Sequence, residues 1–104
     1  MTFQKAVALS DLWSGEKIGI LLDGKKVLLV NTEGKICAYE DRCGHQGVLL
    51  SEGRLNGCVL TCQAHYWEYD VSTGKGVNPA AVQLTAFAVK IENGEIFVDV
   101  NAPS

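Results

Sequence analysis

This chain of 104 residues has only two histidines, and each stands close to a cysteine: Cys43-Gly44-His45 and Cys62-Gln63-Ala64-His65. Sixteen residues lie between the two segments. Ligand side chains this close in sequence belong to one loop, and two such loops serving one metal centre must meet in space. The chain between His45 and Cys62 therefore has to leave and return, so that both loops emerge at the same end of a small scaffold. No other feature constrains the fold as tightly.

Two thiolates and two imidazoles suit two kinds of centre. A single tetrahedral zinc ion accepts Cys₂His₂, but zinc fingers group like ligands as Cys-x₂₋₄-Cys with His-x₃₋₅-His. Here each loop is mixed. The mixed pattern matches a [2Fe–2S] centre of the Rieske kind, in which two histidines replace two cysteines on one of the irons. A loop that gives a Cys to one iron and a His to its neighbour needs its ligands close in sequence, as both segments have them. Two ferric ions, two sulfides, two thiolates and two neutral imidazoles sum to zero charge. A four-Cys cluster is more negative and harder to reduce, consistent with roughly −150 to +300 mV for Rieske centres against about −400 mV for plant-type ferredoxins. A zinc-stabilised interaction module without redox function is the alternative from a different class.

At this length the chain forms one domain with a modest core and no separate catalytic unit. Hydrophobic residues make up 47% and charged residues 20%, an ordinary globular balance. The net charge of −3, without a run of Lys or Arg, speaks against nucleic-acid or polybasic membrane binding. Apolar stretches are too short to span a bilayer, and the segment from Met1 to Ser10-Asp11 has no apolar core of a signal peptide. The expectation is a soluble cytoplasmic protein.

Turn signals recur throughout, predicting an all-β sandwich or barrel. Asp23-Gly24 divides the strands Lys17–Leu22 and Lys25–Asn31, Glu33-Gly34 turns into Lys35–Glu40, and Asn93-Gly94 divides Phe87–Ile91 from Glu95–Val100. Ile96, Val98 and Val100 alternate as one buried face of a strand. A short helical turn is expected at Ser10–Trp13 with Ser10 as N-cap, and a loop at Ser72–Gly76 and Pro79. Both ligand segments follow strands, Lys35–Glu40 and Cys58–Thr61, so they are loops at the tip of a small sheet. The two other cysteines, Cys37 and Cys58, lie in strand-like runs and are expected as buried, reduced thiols.

The ligand set, together with Leu50-Ser51-Glu52-Gly53, Thr61-Cys62-Gln63-Ala64-His65-Tyr66-Trp67 and Thr73-Gly74-Lys75-Gly76-Val77-Asn78-Pro79, resembles Rieske ferredoxins over essentially the whole chain. More closely, it resembles the ferredoxin component of bacterial toluene/o-xylene-type multicomponent monooxygenases. Gln63 and Tyr66 depart from dioxygenase ferredoxins, many of which have Pro and Gly there. Val48 and Ala64 occupy the positions of the extra disulfide of high-potential Rieske proteins, which points to the lower-potential branch.

The resemblance implies a Rieske β-sandwich with a basal part of about residues 1–40 and 70–104 and an inserted cluster-binding part of about 41–69. It implies one [2Fe–2S] cluster held by Cys43, His45, Cys62 and His65, with the cysteines on the inner iron and the histidines on the outer one. The implied role is a monomeric electron carrier, not an enzyme, that takes single electrons from an NADH-dependent flavin and iron–sulfur reductase. It would deliver them to a diiron hydroxylase that oxidises an aromatic hydrocarbon. Rivals within the same chemistry are a ferredoxin of a ring-hydroxylating dioxygenase and a Rieske-like reductase subunit.

Further residues carry open readings. Gln46 either faces the partner or caps a backbone group. Trp67 either shields the cluster, docks the partner or fills a satellite core. Glu40, Asp41, Glu52, Glu68 and Asp70 form an acidic recognition rim or are simply solvated, with Arg42 and Arg54 interrupting them. Trp13 and Tyr69 are expected as packing residues.

Overall fold

The computed structural model describes residues 3–42, 49–62, 66–78 and 82–103. These residues form ten β-strands and two 3₁₀ turns, with no α-helix among them. The strands are β1 (Gln4–Ala8), β2 (Lys17–Leu22), β3 (Lys25–Thr32), β4 (Lys35–Glu40), β5 (Arg54–Asn56), β6 (Val59–Thr61), β7 (Glu68–Asp70), β8 (Lys75–Asn78), β9 (Ala86–Glu92) and β10 (Glu95–Pro103). They assemble into a six-stranded antiparallel sheet, ordered β1-β10-β9-β4-β3-β2, and a four-stranded one, ordered β5-β6-β7-β8. The chain is therefore all-β, as expected.

Three two-residue turns set the register of the large sheet. Leu22 pairs with Lys25 around Asp23-Gly24, Thr32 with Lys35 around Glu33-Gly34, and Glu92 with Glu95 around Asn93-Gly94. Both central residues of every turn have positive φ, between 50° and 89°. That backbone twist matches the right-handed twist of the flanking strands.

Apolar alternation then sorts the side chains. Leu28 and Val30 of β3 join Tyr39, Leu50, Leu60 and Tyr69 in a core between the two sheets. Val27 and Leu29 face the other way, into a second core with Leu12, Phe87, Ile96 and Val98. All four consecutive residues, Val27 to Val30, are fully buried, so β3 is covered on both faces. The predicted Ile96–Val98–Val100 stripe lies in the second core.

Three local expectations are corrected. The first 3₁₀ turn spans Leu9–Asp11, with Ala8 at its N-cap and no side-chain cap, so Ser10 lies inside it. Leu12 takes the buried position there, whereas Trp13 is 70% exposed, with its ring N–H on the Ser10 carbonyl at 2.6 Å. The stretch expected as a loop at Ser72–Gly76 is instead a hairpin. Asp70 pairs with Lys75, and Gly74 N–H donates to the Asp70 carbonyl at 2.7 Å, which starts β8 at Lys75.

Candidate metal centre

Cys62 follows β6 directly and is fully buried. Its N–H donates to the Trp67 carbonyl at 2.7 Å, and Tyr66 N–H donates to the Cys62 carbonyl at 3.0 Å. These bonds close the base of the β6–β7 connection. Tyr66 completes the closure with a φ of 59°, a left-handed conformation that costs a side-chain-bearing residue energy. Its side chain is 75% exposed.

The segment with the other expected ligands follows β4. Asp41 N–H donates to the Lys26 carbonyl at 2.9 Å, extending the sheet by one residue. The Asp41 carboxylate is buried and accepts two hydrogen bonds from Ser51, one from the backbone N–H at 2.7 Å and one from the hydroxyl at 2.6 Å. Both ends of the segment between them are thereby tied together. Ser51 belongs to the second 3₁₀ turn, Leu50–Glu52, whose Leu50 side chain is fully buried in the inter-sheet core. Gly53 then presses against the Thr61 carbonyl so closely that a Cβ there would overlap it. The chain returning from the first segment of expected ligands is thus in contact with the strand that leads into the second.

A cleft of about 410 Å³ opens at this end, lined by Glu52, Gly53, Arg54, Thr61, Cys62 and Tyr66. Of the four expected ligands the structure places Cys62. Cys43, His45 and His65 lie outside the described residues, as do Gln46, Val48, Gln63 and Ala64. Among the described residues no three His, Cys, Asp or Glu side chains gather as a metal site. A buried soft sulfur donor at a pinned hairpin root nevertheless fits the inner-iron position of an iron–sulfur centre.

The remaining candidates separate. Asp41 is no part of an acidic rim, because its carboxylate is used inside the fold. Glu52 and Arg54 are exposed at the cleft, and Arg42 lies 4.0 Å from Glu40. Asp70 sits at the end of β7 away from the ligand loop, where its carboxylate accepts the Ser72 hydroxyl at 2.6 Å and the Ser72 N–H at 2.9 Å. The Ser72 hydroxyl, assisted by the Ser72 N–H and the Cys58 thiol, holds that carboxyl below its usual pKa against the opposing effect of burial. Trp67 is half-buried and packs against the inter-sheet core, the satellite position, while Tyr69 is a core residue as expected. Cys37 and Cys58 are thiols, but only Cys37 is partly covered. Cys58 is exposed in the β5–β6 turn, because β6 begins one residue later, at Val59.

Tyr39 joins the two sheets. Its hydroxyl donates to the Val71 carbonyl at 2.6 Å, and burial, followed by the neighbouring Cys37 thiol, pushes its pKa well above the ordinary phenol value. Sequence reasoning passed over the pair Asp41 and Ser51. An aspartate among several acids carries no mark of burial, and the serine was legible only as part of a motif.

Residues 2–88 match the model of the Rieske [2Fe–2S] domain. The chain is 44% identical over 92 residues to the ferredoxin component of the alkene monooxygenase system of Xanthobacter autotrophicus strain Py2, covering 88% of this chain and 75% of that protein. It is 36% identical over 98 residues to the ferredoxin component of the naphthalene 1,2-dioxygenase system of Pseudomonas putida, covering 93% and 94%. The fold superposes with a TM-score of 0.88 at 30% identity on a chain in the complex of reduced oxygenase and oxidised ferredoxin of carbazole 1,9a-dioxygenase, covering 98% of this chain and 95% of that one.

Proposed function

The chain belongs to the Rieske [2Fe–2S] domain family, and we propose that it carries single electrons to the hydroxylase of a multicomponent monooxygenase. The family carries one Rieske-type [2Fe–2S] cluster, which when bound supplies a one-electron couple. The chain is a ferredoxin, an electron-transfer component of an oxygenase system rather than the oxygen-activating enzyme.

Cys43 and Cys62 hold the inner iron in this reading, and His45 and His65 the outer one. Buried Cys62 supports it on the inner side. The cluster-binding part is about residues 41–69, although the four-stranded sheet that begins within it continues to Asn78. Exposed Tyr66, beside His65, presents an aromatic ring at the ligand end and serves as a contact for the electron acceptor. The reading also includes an NADH-dependent reductase as donor, a diiron hydroxylase as acceptor, an aromatic hydrocarbon as the substrate of that hydroxylase, and a cytoplasmic location. No helix among the described residues is long and apolar enough to cross a membrane.

The observation that carries the monooxygenase assignment is the 44% identity to a monooxygenase ferredoxin over 88% of the chain. The 36% identity to a dioxygenase ferredoxin favours the second reading, delivery to a ring-hydroxylating dioxygenase. The purified, reduced protein is to be mixed with a diiron hydroxylase and, separately, with a Rieske dioxygenase oxygenase, each supplied with its substrate. Product formed with the first and not the second is expected. The reverse outcome would make it a dioxygenase ferredoxin.

A further inference from the structure

The Asp41–Ser51 pair lies at the foot of the ligand end without belonging to the ligand set. Its two hydrogen bonds, 2.7 and 2.6 Å long, join residues ten apart in sequence. The closed segment contains Cys43 and His45. Cys43 is two residues from Asp41 in the sequence.

Several elements converge on this pair. Lys17 of β2 donates from Nζ to the Ser51 carbonyl at 2.5 Å. Two residues along the same strand, Gly19 leaves the space that the pair occupies. A Cβ at that position would lie 2.6 Å from Ser51 Oγ and 2.7 Å from Asp41 Oδ2. The strand is therefore shaped around the pair, since any side chain at residue 19 would force the carboxylate and hydroxyl apart. On the far side of Ser51, buried Leu50 roots the turn in the inter-sheet core, and Gly53 abuts the Thr61 carbonyl one residue before Cys62. A four-residue segment, Leu50 to Gly53, thus touches the anchors of both ligand pairs.

We propose that Asp41 and Ser51 form a positioning clasp that sets the separation of the two ligand pairs, and thereby how firmly the cluster is held and how asymmetric its electronic environment is. The inference rests on the ligand assignment given above. A binuclear centre drawn from two loops tolerates little change in their separation, because each iron takes its two protein ligands from different loops. The clasp contributes no ligand. It acts through Cys43 and His45 by keeping the ends of their segment at a fixed distance beside β6.

The test compares loaded wild type with Asp41→Asn, Asp41→Ala and Ser51→Ala. It reads the rate of cluster bleaching by an iron chelator, the g values of the reduced protein by EPR, and the midpoint potential. Asparagine keeps an oxygen for the Ser51 N–H and an amide N–H for its hydroxyl, so Asp41→Asn is expected to stay close to wild type. Ser51→Ala keeps only the backbone bond and should bleach several-fold faster. Asp41→Ala should bleach more than about tenfold faster, since it leaves the part-buried Ser51 donors without their partner, and should show shifted g values. A change of about tenfold in its reduction equilibrium would appear as about 59 mV. Bleaching rates and g values unchanged in Asp41→Ala, with only a lower melting temperature, would overturn the clasp. So would Asp41→Asn failing as badly as Asp41→Ala, which would assign the effect to charge. Should Asp41→Ala not accumulate, Ser51→Ala decides by the same readings. Wild type lacking the reduced-cluster signal overturns the ligand assignment together with the clasp, whereas a loaded wild type with indifferent variants overturns the clasp alone.

Discussion

In the six-stranded sheet the strands run five to nine residues, and β3 buries four consecutive side chains on two faces. The four-stranded sheet has strands of only three or four residues. Such strands bury little by themselves, and polar fastenings hold this half: Asp41 to Ser51, Tyr39 to Val71, Asp70 to Ser72 and the backbone bonds between Cys62, Tyr66 and Trp67. The difference follows from what each half has to do. A scaffold gains most from non-directional apolar burial, which tolerates small shifts. A ligand end needs fixed distances, and hydrogen bonds with narrow geometric limits provide them.

The comparison predicts that damage to the two halves will look different. The largest effect belongs to the ligand end. Cys62→Ser should abolish nearly all cluster incorporation, because a hydroxyl oxygen is a poor replacement for a soft thiolate on iron. The large sheet should remain folded, so absorbance and iron content should collapse while the far-ultraviolet circular dichroism stays β-type. Loss of the β signal along with the iron would show that the two halves do not separate.

Next comes the scaffold. Leu29→Ala, in the core that faces away from the small sheet, should cost about 2–5 kcal/mol of stability through lost burial and a cavity. Denaturant unfolding measures it, and the reduced EPR spectrum of the surviving folded protein should match wild type. A changed spectrum would mean that strain in the scaffold reaches the ligand loops.

Tyr39→Phe tests the seam between the halves. It deletes the buried bond to the Val71 carbonyl and should cost about 1–3 kcal/mol. The deficit should be visible in unfolding at neutral pH. A neutral result would indicate that ring packing alone joins the sheets.

The smallest effect is acid-dependent. Hydrogen bonds from Ser72 depress the Asp70 pKa below its ordinary 3.8. The folded state therefore holds the proton less tightly than the unfolded chain does. The stabilisation is present above about pH 4 and is lost as pH falls through the depressed folded value. Asp70→Asn should flatten the acid limb of the stability profile in that window. An unaltered limb would show that the Asp70 fastening adds nothing beyond what water supplies.

Legibility in the sequence divided along the same line. Asn93-Gly94 and Asp23-Gly24 announced their hairpins because a two-residue turn is a local event with a local residue preference. The β10 stripe was equally plain, since alternation along one strand reports its own buried face. Strands β5, β7 and β8 carry too few residues to show a period. Trp13 and Cys58 misled for a related reason. Residue type gave each a general tendency to be buried, but the neighbouring Leu12 filled the available core position, and β6 began after Cys58.

By itself the sequence determined the kind of cluster this family carries and the hairpins of the scaffold, because donor spacing and turn preference operate over a few adjacent residues. The fate of Asp41 was decided only by the tertiary structure. Its partner Ser51 is ten residues away, the space for both is left by Gly19 of β2, and the far end of their segment stops against β6. Burial of this carboxylate depends on a donor residue ten positions away and on space left by a separate strand, and no local pattern records either.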